Sequence, residues 1–171
     1  AEWFEPLLLG IAAAHERGIV HRDLKPENVM GERDDSGTLA VKILDLGLVK
    51  LRADESGTGT MTREGVVMGT PDYMSPEQLL GREVDSRSDI FAIGVMLVEA
   101  LTGARRLPNE ASTAAPASAT PTLPPALRDV LRHCLAAEPD DRPESVAELL
   151  GTLLPLLRTG RDSQGGSCNH T

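Results

Sequence analysis

The chain has 171 residues, of which 40% are hydrophobic and 25% are charged, a composition typical of one soluble domain with a real core. Its formal net charge of −9 at pH 7 argues against nucleic acid or an anionic membrane as a partner and weakly favours a basic one. The apolar runs are well short of the roughly 20 residues that a membrane-spanning helix needs, so no membrane segment is expected.

The two cysteines, Cys134 and Cys168, do not form a CxxC pair. We expect both to be reduced thiols of a cytoplasmic protein, whose full-length form could carry a membrane anchor outside this chain.

The first part of the chain predicts a helix followed by a β-hairpin. Apolar residues recur at helical spacing from Trp3 to Arg17. Residues 29–30 and the alternating stretch 39–44 predict two short strands, joined by a turn at 34–37. Between the helix and the first strand stands the polar sequence HRDLKPEN, residues 21–28. Such a sequence is compatible with a solvated loop and with a catalytic loop.

The middle of the chain combines a long loop with two helices. Residues 45–73 lack periodicity, and a loop of that length inside a domain is either functional or a sign that an element has been wrongly assigned. The sequence Ser75-Pro76-Glu77-Gln78 predicts a helix that begins with a capping box. Another helix is predicted from Ser86 to about Thr102, buried on all sides because its central run is apolar throughout.

Two more helices are predicted from apolar spacing, over 127–135 and from Val146 to Leu157. Cys134 lies on the apolar stripe of the first and is expected in the core. Residues 104–125 are mostly Ala, Pro, Ser and Thr and predict a flexible loop, and residues 158–171 predict a disordered tail.

Further motifs follow HRDLKPEN in a distinctive order: DLG at 45–47, GTPDYMSPE at 69–77, DSRSDIFAIGVMLVEALTG at 85–103 and DDRPESVAEL at 140–149. In this order and spacing they resemble the C-terminal lobe of a eukaryotic-type (Hanks-type) protein serine/threonine kinase of bacterial character. The resemblance implies a kinase-like C-lobe over residues 1–157, mainly α with a small β-hairpin sheet. It also implies a catalytic loop at 21–28 and an activation segment at 45–77.

The resemblance implies transfer of the γ-phosphate of ATP to serine or threonine hydroxyls of proteins. Asp23 would accept the proton of the substrate hydroxyl, and Lys25 would contact the γ-phosphate. Asn28 and Asp45 would hold Mg²⁺ through oxygen ligands, which hard cations prefer. The alternative for Asp23 and Asn28 is an Asx-rich turn.

Other residues resemble structural supports of the family. His21 and Leu46 resemble members of its internal hydrophobic spine, with Leu46 in place of the usual phenylalanine. Asp89 resembles a buried aspartate that holds the backbone of the catalytic loop, and helix N-capping is its alternative. Glu77 and Arg142 resemble a buried ion pair.

The acceptor type and the regulation are also implied by resemblance. Thr70 resembles the threonine that contacts the catalytic aspartate in serine/threonine kinases. Arg22 implies a pocket for a phosphate on the activation segment. The candidate phosphosites are Thr58, Thr60 and Thr62. The alternative is a flexible loop that is merely rich in threonine.

Two features depart from the family pattern. Only 20 residues precede His21, too few for the Gly-rich loop and lysine that grip ATP, so we expect the N-lobe to be a missing partner of this chain. Residues 104–125 lack the pattern of the helix that helps to dock substrates. An active kinase is favoured over a non-catalytic, pseudokinase-like binding module because the predicted catalytic and metal-binding residues are all present. An unrelated helical interaction protein is the third hypothesis.

Overall fold

The computed structural model describes residues 2–46, 71–103 and 123–162. Its helices and strands are α1 (Phe4–His15), β1 (Val29–Arg33), β2 (Leu39–Ile43), α2 (Pro76–Leu79), α3 (Arg87–Thr102), α4 (Pro125–Cys134) and α5 (Val146–Asp162). Short 3₁₀ turns lie at Pro26–Asn28, Pro71–Tyr73 and Pro139–Asp141. The predicted fold class, mainly helical with a small β-hairpin, is confirmed for these residues. None of the helices described here has the length and apolar character needed to cross a membrane.

Helix α3 forms the centre of the core. Its residues from Ser88 to Val98 are buried, apart from the half-buried Phe91. The prediction of a helix buried on all sides is therefore confirmed, as expected for an apolar run without a polar face. Helix α4 packs against α3, and α5 packs against both α4 and α1. Every other described element is arranged around α3 or around a helix that contacts it.

Helices α3 and α4 approach each other closely at Gly94. A β-carbon at this position would lie 2.8 Å from the β-carbon of Cys134, so a larger residue would force the helices apart. Cys134 is a free cysteine with 0% exposure, and burial raises the pKa of its thiol to about 12. Its predicted core position is confirmed, whereas Cys168 lies outside the described residues.

The β-hairpin lies against α1. Its strands pair antiparallel, with Val29 opposite Ile43, and β2 alternates between half-buried and exposed side chains as its sequence predicts. Asp34 Oδ1 accepts hydrogen bonds from the backbone amides of Ser36 and Thr38, both at 2.9 Å. These bonds close the predicted turn.

Helix α5 is longer than its apolar pattern predicts. The pattern ends at Leu157 and predicts a disordered tail from residue 158, but the helix continues to Asp162. The guanidinium of Arg158 donates to the Glu5 carboxylate of α1 at 2.9 Å. A charged contact therefore continues the pairing of α1 with α5 beyond the last apolar residue. The rest of the predicted tail, 163–171, lies outside the described residues.

The predicted flexible loop at 104–125 ends earlier than expected. Leu123 is buried at 9% exposure, and Pro125 is the first residue of α4, where a proline fits because its missing amide has no helical partner. Residues 104–122 lie outside the described residues, so the prediction for them is untested.

A buried ion pair joins α2 to the turn that precedes α5. The two terminal nitrogens of Arg142 each donate to a carboxylate oxygen of Glu77 at 2.7 Å, and both residues are 4% exposed. The other N–H groups of Arg142 donate to the carbonyl oxygens of Arg87, Ala136 and Ala137. All five N–H donors of the guanidinium are thus satisfied, which offsets the cost of burying its charge. The ion pair is the one predicted by resemblance.

The environment of Glu77 also determines its ionisation. Burial by itself would raise the pKa of Glu77, but hydrogen bonds from Arg142 and Ser88 outweigh it and hold this pKa at about 2 instead of 4.5. The Ser88 hydroxyl contributes a hydrogen bond of 2.5 Å. Because the pKa is lower in the folded state, the stabilisation is complete above pH 4.5 and is lost as the pH falls towards about 2.

Replacing Glu77 by glutamine is expected to destabilise the fold by about 3–5 kcal/mol at neutral pH, because it leaves the Arg142 charge buried and unpaired. The wild-type chain is expected to lose on the order of 3 kcal/mol of stability through this group as the pH falls from 4.5 to about 2. Glu77→Gln is expected not to show this acid-dependent loss, because glutamine does not titrate. Urea unfolding followed by circular dichroism at several pH values measures both effects.

The exposed Glu5–Arg158 pair provides the matched control. Its side chains are 38% and 64% exposed, so Glu5→Gln is expected to cost less than about 1 kcal/mol. Equal losses at Glu5 and Glu77, or unchanged acid sensitivity in Glu77→Gln, would contradict the assignment.

Candidate active site

The predicted catalytic loop, residues 21–28, connects α1 to β1. The Asp23 side chain is 34% exposed, and its Oδ2 accepts hydrogen bonds from Lys25 Nζ at 2.8 Å and from Asn28 Nδ2 at 3.2 Å. Asn28 Nδ2 also donates to the backbone carbonyl of Asp23 at 2.7 Å. Within the described part of the chain, Asp23 Oδ1 accepts no hydrogen bond. The loop therefore presents one oriented carboxylate oxygen that a hydroxyl group could approach.

The backbone of this loop is held by Asp89, which lies in the first turn of α3 and is 1% exposed. Asp89 Oδ2 accepts hydrogen bonds from the His21 amide at 2.8 Å and from His15 Nε2 at 2.7 Å. Its Oδ1 accepts one from the Arg22 amide at 2.9 Å. Of the two interpretations of Asp89, helix capping and support of the loop, these contacts match the second. The three donors offset the cost of burying a carboxylate.

Two residues of the site have a left-handed backbone conformation, Arg22 with φ of 68° and Asp45 with φ of 57°. Among the described residues, no other non-glycine residue has a positive φ. Such conformations cost on the order of 1–3 kcal/mol each and persist only where the surroundings fix them. At Arg22 the amide is held by Asp89, and the carbonyl accepts a hydrogen bond of 2.6 Å from Gln78 Nε2.

His21 is fully buried and connects the loop to the residues around Asp45. Its Nε2 donates to the Leu44 carbonyl at 2.9 Å, and its Nδ1 accepts from the Asp23 amide at 3.3 Å. These partners assign the neutral tautomer with the proton on Nε2, because a carbonyl only accepts and an amide N–H only donates. The Leu44 amide in turn donates to the Asn28 carbonyl at 2.9 Å. The loop is thereby tied to the residue that precedes Asp45.

Asn28 and Asp45 fit the predicted magnesium site. Because Asn28 Nδ2 is engaged by Asp23, the carboxamide oxygen is the group left for a cation. Asp45 is exposed and supplies a carboxylate. Mg²⁺ commonly takes few protein ligands and completes its shell with water and phosphate oxygens. Residues 2–46, 71–103 and 123–162 contain no cluster of three or more His, Cys, Asp or Glu that could hold a metal alone.

The prediction that Leu46 belongs to an internal spine stays a prediction, because the residues that follow it, 47–70, lie outside the described structure. Its side chain is 41% exposed, whereas His21, the other predicted member, is fully buried. Leu46 lies beyond the end of β2, and none of the described elements packs over it. An apolar side chain is buried only where another element covers it, and no element among the described residues covers Leu46.

The predicted residues of the activation segment lie largely outside the described structure. This applies to Thr58, Thr60, Thr62 and Thr70. Arg22, the predicted phosphate ligand, is half-buried. Among the described residues it makes hydrogen bonds through its backbone, and its guanidinium has no acidic partner there. The roles of these residues remain predictions.

Two supporting contacts were not predicted. His15 lies in the predicted first helix, and its Nε2 donates to Asp89, 74 residues away. Gln78 was assigned to the capping box, which is confirmed, because the Ser75 amide donates to its Oε1 at 3.1 Å. The same side chain also donates to Arg22, 56 residues away. No local sequence pattern signals a partner at such a distance.

An apolar cavity of about 420 Å³ adjoins the catalytic loop between α1 and α3. Glu27 and Glu99 contribute carboxylates to its lining, and the Tyr73 hydroxyl donates to Glu99. The other lining residues are Trp3, Phe4, Leu7, Pro26, Val29, Met96 and Ala100. The two carboxylates favour a cationic over an anionic group here.

Comparison with known proteins agrees with this geometry. The protein kinase domain family matches residues 1–154. The chain is 43% identical over 160 residues to the serine/threonine-protein kinase Pkn1 of Myxococcus xanthus, which covers 86% of this chain and 22% of Pkn1. It is 42% identical over 142 residues to the serine/threonine-protein kinase A of Synechocystis sp., which covers 75% of this chain and 26% of the relative. The chain spans about a quarter of the length of these relatives.

Solved structures show the same relationship. The kinase domain of Mycobacterium tuberculosis PknI superposes with a TM-score of 0.60 at 25% sequence identity, covering 91% of this chain and 56% of that domain. Fold, motif order and sequence similarity thus agree, and the chain belongs to the protein kinase domain family, with bacterial serine/threonine kinases among its relatives.

Proposed function

We propose that this chain is the C-terminal lobe of a protein serine/threonine kinase, which transfers the γ-phosphate of ATP to serine or threonine hydroxyls of proteins. The observation that carries the proposal is the Asp23 carboxylate, whose Oδ1 accepts no hydrogen bond from the residues that the structure describes and which lies on a loop fixed to the core by Asp89. The proposed lobe comprises residues 1–157, with the activation segment at 45–77.

The described contacts support a role for Asp23 as the base. Asp23 Oδ1 would accept a hydrogen bond from the substrate hydroxyl and orient its oxygen in line with the phosphoryl group. As the new O–P bond forms and the bond to the ADP oxygen breaks, the carboxylate would take the hydroxyl proton. Lys25 Nζ, 2.8 Å from Asp23 Oδ2, would place a compact positive charge beside the transferring group.

Asn28 and Asp45 would hold the magnesium ion of the nucleotide through their side-chain oxygens. When bound, that ion supplies positive charge that neutralises the phosphate oxygens. The contribution of the chain itself is to fix the ligands, since Asn28 is bonded to Asp23 and, through its carbonyl, to the Leu44 amide.

A further part of the proposal is that the lobe which grips ATP lies outside this chain. Apolar side chains stand exposed on and beside the β-hairpin, with Met30 at 57%, Leu44 at 38% and Leu46 at 41% exposure, and they support a packing partner at this face.

We expect the chain alone to bind Mg-ATP weakly or not at all. Calorimetry measures this directly, and micromolar binding by the isolated chain would contradict the proposal.

Replacing Asp23 by asparagine in the full-length kinase is expected to lower phosphate transfer to protein serine or threonine by at least about 100-fold, because the amide cannot accept the proton. The fold is expected to remain intact, since Asp23 is partly exposed. Radiolabel transfer from ATP to a protein substrate measures the rate.

The matched control is Asp35→Asn, because this aspartate is exposed in the hairpin turn, away from the loop. It should retain the wild-type rate. A folded Asp23→Asn enzyme with a near wild-type rate would contradict the catalytic assignment and favour a non-catalytic binding module.

We also propose that a phosphate within Thr58 to Thr62 binds Arg22 and activates the kinase. Phosphate carries about −1.5 to −2 charge and accepts bidentate hydrogen bonds from a guanidinium. Replacing Thr58, Thr60 and Thr62 together by alanine is expected to lower the activity of the full-length kinase at least about tenfold. Phosphosite mapping with rate measurement tests this expectation.

Thr152→Ala is the control, because this threonine is exposed on α5. If the triple alanine variant is fully active, or if no phosphate maps to Thr58–Thr62 in the active enzyme, the phosphate switch is contradicted.

A further inference from the structure

Gln78 contacts both the start of α2 and the residue that precedes the proposed catalytic base. Its Oε1 accepts hydrogen bonds from the amide and the hydroxyl of Ser75, both at 3.1 Å. Its Nε2 donates to the Arg22 carbonyl at 2.6 Å. Because the Ser75 amide N–H can only donate, it identifies the glutamine atom beside it as Oε1 and directs the N–H group of Gln78 towards Arg22.

The bond to Arg22 acts where the backbone is strained. Arg22 has φ of 68°, a conformation that a residue with a β-carbon keeps only when its neighbours hold it. The peptide group before Arg22 is held by Asp89, which accepts its N–H. The peptide group after Arg22 is held at both ends, since its carbonyl accepts from Gln78 and the Asp23 amide donates to His21 Nδ1.

The two bonds to the second peptide group differ in strength. The Asp23 amide lies 3.3 Å from His21 Nδ1, a long contact, whereas Gln78 Nε2 lies 2.6 Å from the Arg22 carbonyl. The shorter bond is the stronger restraint on the rotation of this peptide group. A change in the φ angle of Asp23, which a fixed peptide group resists, would turn the Asp23 side chain relative to the preceding part of the loop.

We propose that Gln78 is a positioning residue of the kinase reaction, which sets the orientation of the Arg22–Asp23 peptide group and, through it, of the Asp23 carboxylate. The inference rests on the proposed kinase function. Gln78 directly follows the activation segment at 45–77, so the bond also couples the end of that segment to the base. Gln78 would therefore affect the rate of phosphoryl transfer and not the affinity for the nucleotide.

Gln78→Glu separates this role from helix capping. A glutamate keeps the oxygen that accepts from Ser75, and its negative charge is favourable in the first turn of a helix. It cannot donate to the Arg22 carbonyl. Gln78→Met has a similar size but lacks both functions, and it adds no charge. The two variants therefore share the loss of the Arg22 contact and differ in the cap and in the charge.

The test is steady-state kinetics of the full-length kinase with Mg-ATP and a protein substrate. Both variants are expected to lower kcat about fivefold to tenfold, the effect of losing one hydrogen bond, with KM for ATP within about twofold of wild type. The melting temperature of Gln78→Glu should lie nearer to that of wild type than that of Gln78→Met, which loses the cap as well as the Arg22 contact.

A wild-type kcat in Gln78→Glu would overturn the inference, because Gln78 would then act through the cap alone. A rise in KM for ATP with kcat unchanged would also overturn it. These outcomes require an active wild-type enzyme, so they differ from failure of the proposed function, which would be seen as no transfer by wild type. Asp35→Asn again serves as the control, because a substitution at this exposed residue should change neither kcat nor the melting temperature.

Discussion

The buried carboxylate of Asp89 determines where the catalytic loop lies. An ionised carboxylate in a protein interior is costly without hydrogen-bond donors, and here the donors come from His15, His21 and Arg22. Because Asp89 belongs to the most deeply buried helix, the amides of the loop are fixed to the core. The site therefore has the rigidity of a core helix although its reacting groups lie on a loop.

A second buried charge supports the same loop from another direction. The Glu77–Arg142 pair holds α2, and α2 carries Gln78, whose amide reaches the Arg22 carbonyl. Arg22 is thus held from α3 through Asp89 and from α2 through Gln78. The supporting charges are almost fully buried, whereas Asp23 is 34% exposed. The charged residues that hold the loop are thus shielded from water and rigidly packed, whereas the Asp23 carboxylate stays accessible to a substrate.

Sequence patterns predicted the features that depend on neighbouring residues. The apolar run of α3 predicts burial on all sides, and the Ser75–Gln78 capping box predicts the start of α2, because both signals are local. The backbone partners of Asp89 and the Glu77 partner of Arg142 came from the family resemblance, since neither charge nor spacing identifies a partner far away in the chain.

What the sequence did not predict depends on packing and on distant contacts. The bond from Gln78 to Arg22 joins residues 56 positions apart, and a capping glutamine looks the same with or without it. Helix α5 extends past Leu157, where Arg158 contacts Glu5. A contact between charged residues leaves no trace in the spacing of apolar residues, so the pattern did not predict this extension. Leu46 has the apolar character of a core residue, but no described element covers it, so its place in the predicted spine stays a prediction.

The packing of Cys134 against Gly94 makes this thiol a chemical reporter for the interior of the fold. Alkylating reagents attack the thiolate, and both access and ionisation are suppressed here by 0% exposure and a pKa of about 12. Modification therefore requires α4 to separate from α3. The rate of labelling at Cys134, read by peptide mapping, measures how often these two helices part. Openings that leave the catalytic loop in place would be visible in that rate, although an activity assay would miss them.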